Sequence, residues 1–159
     1  GYDDFACDWE TVFNRMDTFL EKADFFLNVG NIDTAIDIAL QTLRSIGENY
    51  EAEIYVNERD NEHLFKLLSS TRYHQLEALM KYSYYLKDTH SEQLIVIYTS
   101  LLNDYAEQNV GRTHYELIVQ ALLCAKKLNG GQAAVKTLVA EFRIKYKRRP
   151  AMMEVLARF

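Results

Sequence analysis

The chain has 159 residues, 48% hydrophobic and 26% charged, a balance typical of a globular domain and not of a disordered chain. It contains one proline and six glycines, so few residues interrupt helices, and no apolar run approaches the roughly 18 residues of a membrane span. Two cysteines do not make a disulfide framework, so we expect a reducing, cytoplasmic setting. The start at Gly1 is typical of an expression-tag remnant or of a cut in a longer protein, and we expect the chain to be a fragment of a longer protein.

The net charge of −5 combines two regions of opposite sign. Residues 126–159 hold nine Lys or Arg and two acids, which gives +7, and residues 1–125 therefore carry −12. A basic C-terminal end occurs in nucleic-acid-binding modules. It also occurs where one end of a domain is held against another by charge, and we favour this second interpretation.

Apolar residues recur at steps of three and four along almost the whole chain, which places each set on one face of a helix. The first two such seams are Trp9, Phe13, Met16, Leu20, Ala23 and Leu27, and then Ile32, Ile36, Ala39, Leu43, Ile46 and Tyr50. A second stripe, Val12, Phe19 and Phe26, widens the apolar face of the first helix, so we expect that helix to touch two neighbours. The faces must be buried against each other, so the sequence predicts a helical array.

Breaks of three to six residues divide this pattern into about seven helices. The predicted helices cover about 8–29, 32 to beyond 45, 62–86 with a weak point at 69–71, 92–108, 113–128, 132–146 and a last one from Pro150. Gly30 ends the first helix, Ser91 is the predicted N-cap of the fourth, and Thr113 with Glu116 matches a capping box for the fifth. We predict a single all-α domain over 1–159, built of antiparallel hairpins stacked side by side.

One stretch resembles a tetratricopeptide repeat. Ala23, Phe26, Gly30 and Ala35 have that family's spacing of a small residue, an aromatic, the turn glycine and a second small residue. Positions where the family favours Phe, Ala and Pro hold Ala39, Thr42 and Gly47 instead. The resemblance covers one unit of about 34 residues and implies a tetratricopeptide-like right-handed array.

Tyr82, Tyr84 and Tyr85 form an aromatic cluster next to Lys81 and Lys87. Neighbouring positions on a helix cannot all face one core, so at least one of these tyrosines is expected at the surface. Tyrosine is favoured at protein interfaces because it is rigid and amphipathic. The three tyrosines are therefore a candidate interaction surface, with core packing as the more ordinary alternative.

The densest group of positive charge lies near the C-terminus, at Arg143, Lys145, Lys147, Arg148 and Arg149. Phosphate contact by such a group would release counterions, and Tyr146 within it has a ring on which a base can stack. These five residues are the candidate nucleic-acid contacts. Lys and Arg near a helix C-terminus are also stabilising there, and this is the interpretation we favour.

The sequence lacks a phosphate-binding glycine loop, a nucleophile elbow and a set of His and Cys at zinc-ligand spacing. We therefore expect no enzymatic activity, no metal and no cofactor. An active site would have to be assembled from distant residues, and His74, Glu77 and His114 are the candidates for it. Cys124 lies in an apolar helical run, where a small buried thiol is the ordinary interpretation.

The final third resembles the C-terminal helical region of bacterial SWIM zinc-finger proteins. The residues that carry the resemblance are Gly130, Gly131, Leu138, Phe142, Arg143, Tyr146 and the run from Arg148 to Leu156. It is close over 111–156 and loose over the rest. The Cys-x-Cys and Cys-x-His of that family's zinc module are missing here, so the resemblance implies a helical region downstream of such a module and no zinc site.

Together these observations predict a non-enzymatic helical-repeat scaffold that binds another protein or another domain of its own chain, without a membrane. The alternative is a nucleic-acid-binding module that contacts DNA or RNA through its basic C-terminal helices.

Overall fold

The computed structural model describes residues 9–70 and 74–159, apart from the side chains of residues 9–13, 15 and 16. Its helices are α1 (Trp9–Asn28), α2 (Ile32–Asn57), α3 (Asn61–Ser70), α4 (Gln75–Tyr82), α5 (Lys87–Gln108), α6 (Arg112–Lys126), α7 (Gly131–Lys145) and α8 (Pro150–Leu156), with a 3-10 turn over Ser83–Leu86. Within those two ranges no strand forms, which confirms the all-α class. The tetratricopeptide-like stacking stays a prediction.

Tertiary contacts divide the chain into two compact units, of which the first ends at His74 and the second comprises Gln75–Phe159. In the first unit α1 and α2 pair as a helical hairpin, and α3 packs against α2. In the second unit α6 is central and contacts α4, α5, α7 and α8. The core of this second unit includes Leu94, Leu102, Ile118, Leu122, Leu138, Phe142 and Met152.

The turn between α1 and α2 forms as the sequence predicts. Gly30 takes a positive φ of 79°, a conformation that glycine adopts without steric cost. The Asn31 side chain accepts a hydrogen bond of 3.2 Å from the Thr34 N–H and so caps α2. Ala23 and Ala35 are both buried, as expected of small residues where two helices cross closely.

Two predicted helices have different lengths in the structure. The helix expected over 62–86 is divided into α3, α4 and the 3-10 turn. The weak point proposed at 69–71 is where α3 ends. In contrast, α2 continues through Gly47 to Asn57, so the segment from Tyr50 onward extends the helix.

The prediction that Ser91 caps a helix is wrong. Helix α5 begins four residues earlier, at Lys87, and has a kink at His90, whose φ is −135° and ψ is 19°. The Ser91 hydroxyl donates a 2.5 Å hydrogen bond to the Lys87 carbonyl and accepts one of 3.0 Å from the Asn129 N–H. Ser91 therefore ties the α6–α7 turn to the start of α5.

The predicted capping box of Thr113 and Glu116 does not form. Gly111 stands at the N-cap of α6, where no side chain caps the helix. The Glu116 carboxylate instead accepts hydrogen bonds of 2.8 and 2.9 Å from Arg158. Glu116 therefore bonds to a residue 42 positions away in the chain and not to the nearby Thr113.

Candidate interaction surfaces

The structure separates the three tyrosines that the sequence groups together. Tyr82 is only 1% exposed and belongs to the core, so it is not available to a partner. Tyr84 and Tyr85, in the 3-10 turn, are each more than half exposed. Of the three tyrosines in the candidate interaction surface, only Tyr84 and Tyr85 are therefore exposed.

Tyr84 and Tyr85 border an open cavity of about 560 Å³. We call it the tyrosine–lysine cleft, and it is lined by Met80, Lys81, Ser83, Tyr84, Tyr85, Lys87, Cys124 and Lys127. The Lys87 ammonium lies 5.6 Å from the centre of the Tyr84 ring, within the range of a cation–π contact. Burial raises the pKa of the Cys124 thiol, although Lys127 opposes this, so the thiol stays protonated and weakly nucleophilic at neutral pH.

Three of the five candidate nucleic-acid contacts bind groups of their own unit. Arg143 donates to the Leu156 carbonyl at 2.9 Å, and Arg149 donates to the Ala106 carbonyl at 2.7 Å. Lys145 forms an ion pair of 2.9 Å with Glu107 of α5. Among the described residues, no contact is found for the exposed side chains of Lys147 and Arg148.

Tyr146 joins these contacts into one cluster. Its hydroxyl donates to Glu107 at 2.9 Å, and the Arg149 guanidinium lies 4.3 Å from the centre of its ring. The hydrogen bond to Glu107 raises the pKa of Lys145, and the hydrogen bond from Lys145 lowers the pKa of Glu107. This arrangement favours a structural role for much of the basic end, which holds α7 and the following turn against α5.

Two of the histidines form short hydrogen bonds to nearby side chains. His63 bonds Asp60 at 2.6 Å, and His114 bonds the Tyr105 hydroxyl at 2.6 Å. His74 has a positive φ of 52° just before α4. Over those ranges no group of three or more His, Cys, Asp or Glu side chains is arranged to hold a metal ion.

The hairpin carries a surface that sequence reasoning missed. Eight large apolar residues of α1 and α2 are each between 46% and 62% exposed. Phe25 points to the other side of α1, and the remaining seven are Leu20, Leu27, Ile32, Ile36, Leu40, Leu43 and Tyr50. Six of the seven belong to the two seams that we expected to be buried, so that part of the prediction is wrong. We call these seven residues the hairpin face.

Helical geometry places all seven on the same side of the hairpin. Each residue advances the helix by about 100°, and in α1 the exposed Leu20 and Leu27 each follow a partly buried phenylalanine. In α2, Ile36 follows the buried Ala35 and Leu43 follows the partly buried Thr42 in the same way. Because the helices are antiparallel, the same rotation away from their shared interface turns both stripes toward one side.

Acidic residues border the hairpin face along both outer edges. Asp17 and Asp24 stand three residues before Leu20 and Leu27, and Asp33 and Asp37 stand three residues before Ile36 and Leu40. A step of three residues back moves a position about 60° further from the helix–helix interface. We call these four exposed aspartates the acidic rim. The regular spacing between these aspartates and the apolar residues is visible in the sequence. The sequence does not show which apolar stripe remains exposed after the helices pack.

Comparisons with known proteins add no family to this description. The sequence matches no protein-family model, and no curated protein or solved structure shows significant similarity to it. The exposed surfaces of the chain are therefore the basis for assigning a function. The resemblance to SWIM zinc-finger proteins stays a prediction.

Proposed function

We propose that the chain is a non-enzymatic helical scaffold whose hairpin face binds another protein or another domain. The observation that carries this proposal is the exposure of seven large apolar residues on one side of α1 and α2. Contiguous apolar patches of several hundred Å² are uncommon on proteins that act alone, and they mark interaction sites. A tetratricopeptide-like right-handed array would fit this role, since such arrays present helix faces to partners.

The size of the hairpin face suits a protein interface. If a large residue exposes roughly 200 Å² when fully open, seven residues at about half exposure offer about 700 Å². A standard interface buries about 800 Å² per partner. The seven apolar residues alone thus supply most of the area that one partner buries in a standard interface.

The setting we propose is the cytoplasm. Cys124 is a free thiol that lines the tyrosine–lysine cleft, and free thiols persist in reducing compartments. No helix within the described ranges is long and apolar enough to cross a membrane.

Selection from a displayed library of random 20-residue helical peptides tests the proposed function. We expect the wild-type chain to enrich peptides that the Ile36→Gln/Leu43→Gln variant fails to bind. The matched control is Val96→Gln, which removes an exposed apolar residue of α5 in the other unit. Enrichment that is the same for wild type and the hairpin variant, or no enrichment at all, would refute the proposal.

The tyrosine–lysine cleft supports nucleic-acid binding as the alternative function. Lys81, Lys87 and Lys127 surround two exposed tyrosine rings, a combination that suits phosphate contact with base stacking. Anisotropy titration with single- and double-stranded DNA and RNA at rising salt tests it. If binding falls steeply with salt and is lost in Lys87→Glu/Lys127→Glu, the chain binds nucleic acid at the tyrosine–lysine cleft. If it is lost in Lys147→Glu/Arg148→Glu instead, the basic C-terminal end is the binding surface. The absence of binding at low salt refutes it.

A further inference from the structure

The charge around the hairpin face restricts what can bind there. Residues 9–57 contain nine acidic and three basic residues, a net charge of −6. The acidic rim places two aspartates along each outer edge of the apolar residues. A partner that covers the apolar residues must bring its own flanking groups next to these carboxylates.

We propose that the partner of the hairpin face is an amphipathic helix with Lys or Arg on both flanks of its apolar stripe. This inference depends on the proposed function, because it names the chemistry of the partner at the same surface. Lysine and arginine flanks would lie opposite the acidic rim, and their long aliphatic stems would extend the apolar contact. Charge complementarity of this kind selects partners and sets orientation.

The dimensions of the hairpin face set the length of the partner. The α2 stripe extends from Ile32 to Tyr50, which is about 27 Å at 1.5 Å per residue. A helix of about 18 residues, or five turns, covers that distance. From Ile36 onward the α2 stripe continues through Leu40, Leu43, Gly47, Tyr50 and Ile54 at alternating steps of four and three, the spacing that packs helices at about 20° in left-handed bundles.

Two other occupants fit this surface less well. In a second copy of the hairpin, one acidic rim would face another across the interface, and like charges in such positions oppose association. A membrane surface favours helices whose polar face is rich in Lys and Arg, and the anionic cytoplasmic leaflet repels an acidic rim. A basic helix satisfies both the apolar stripe and the rim.

Three designed 18-residue helical peptides test the inference on the complete 159-residue chain. They share one apolar stripe of Leu and Ile and differ only in flanks of Lys, Gln or Glu. We expect the Lys peptide to bind about tenfold more tightly than the Gln peptide, since several exposed ion pairs each add a modest amount. The difference is expected to shrink between about 50 mM and about 500 mM salt, because exposed charges are screened.

Charge variants of the chain separate this inference from the proposed function. Asp17→Asn/Asp24→Asn/Asp37→Asn is expected to lose the preference for the Lys peptide, while Glu92→Gln/Asp104→Asn/Glu141→Gln, with the same charge change on the second unit, keeps it.

Each of three outcomes would overturn the inference. If the Gln or Glu peptide binds as tightly as the Lys peptide and Ile36→Gln/Leu43→Gln abolishes that binding, the basic-partner inference is wrong and the proposed function stands. If no peptide binds, the inference fails, and the library selection decides the proposed function. A dimer of the chain in sedimentation velocity that Leu43→Gln dissociates would assign the face to a second copy instead.

Discussion

Ser83 and Tyr98 form a buried side-chain hydrogen bond whose removal has a calculable effect. Their hydroxyl oxygens are 2.8 Å apart, and the two residues are 2% and 1% exposed. Ser83→Ala leaves the tyrosine hydroxyl buried without this partner, and Tyr98→Phe does the same to the serine. An unsatisfied buried hydroxyl costs about 1–3 kcal/mol, so each single variant is expected to lower the free energy of unfolding by about that amount.

The double variant Ser83→Ala/Tyr98→Phe is the informative one. It removes both polar groups, so its cost is expected to be no larger than that of Ser83→Ala alone, with a coupling energy of about 1–2 kcal/mol. Urea unfolding followed by circular dichroism gives the free energies, and hydrogen exchange of α5 amides assigns the change to the second unit. Strictly additive costs for the two single variants would refute the reasoning, because the hydroxyls would then not depend on each other.

Three further predictions concern the backbone, alkaline pH and the basic end. Gly131→Ala is expected to lower the free energy of unfolding by at least about 2 kcal/mol in urea, because a Cβ there would overlap a backbone carbonyl of α6. Gly47 lies in open space within α2, so Gly47→Ala is expected to raise the free energy of unfolding by about 0.5–1 kcal/mol. Equal effects of the two variants would contradict this reasoning. Burial raises the pKa of Tyr98 well above its usual value, so this tyrosine ionises first in the unfolded chain, and the free energy of unfolding falls as pH rises above about 10. Tyr98→Phe is expected to reduce that slope by up to about 1.4 kcal/mol per pH unit. An unchanged slope would contradict the assignment of this pH dependence to Tyr98. Arg149→Lys is expected to lower the thermal midpoint, since lysine cannot both stack on Tyr146 and keep the guanidinium's hydrogen bond; an unchanged midpoint would show that the contacts add no stability.

Local sequence features predicted helices and turns well where the determining residues are close together in the chain. Gly30 ends α1 and Pro150 begins α8 as expected, since a positive φ and a missing N–H are properties of those residues alone. The caps at Ser91 and Thr113 were not predictable in this way. Partners 38 and 42 residues away, Asn129 and Arg158, bind Ser91 and Glu116 instead.

The surfaces were only partly predictable, for a related reason. Periodicity identified both apolar stripes of α1, but the stripe with Phe19 and the stripe with Leu20 are one residue step apart, and packing alone decides which is covered. Similarly, the basic run is visible in the sequence, whereas its partner Glu107 lies on α5 and becomes its neighbour only in the folded unit. The tertiary structure therefore determines which of these Lys and Arg side chains pair with groups of the protein itself.

Methyl NMR of isoleucine-labelled protein tests the central claim most directly. Ile32 and Ile36 lie on the hairpin face, Ile144 is exposed on α7 among the basic residues, and Ile118 is buried in α6. On addition of the Lys-flanked peptide, we expect the Ile32 and Ile36 methyl signals to shift while those of Ile144 and Ile118 stay in place. Shifts at Ile144 without shifts at Ile32 and Ile36 would contradict the claim that the hairpin face is the interaction surface.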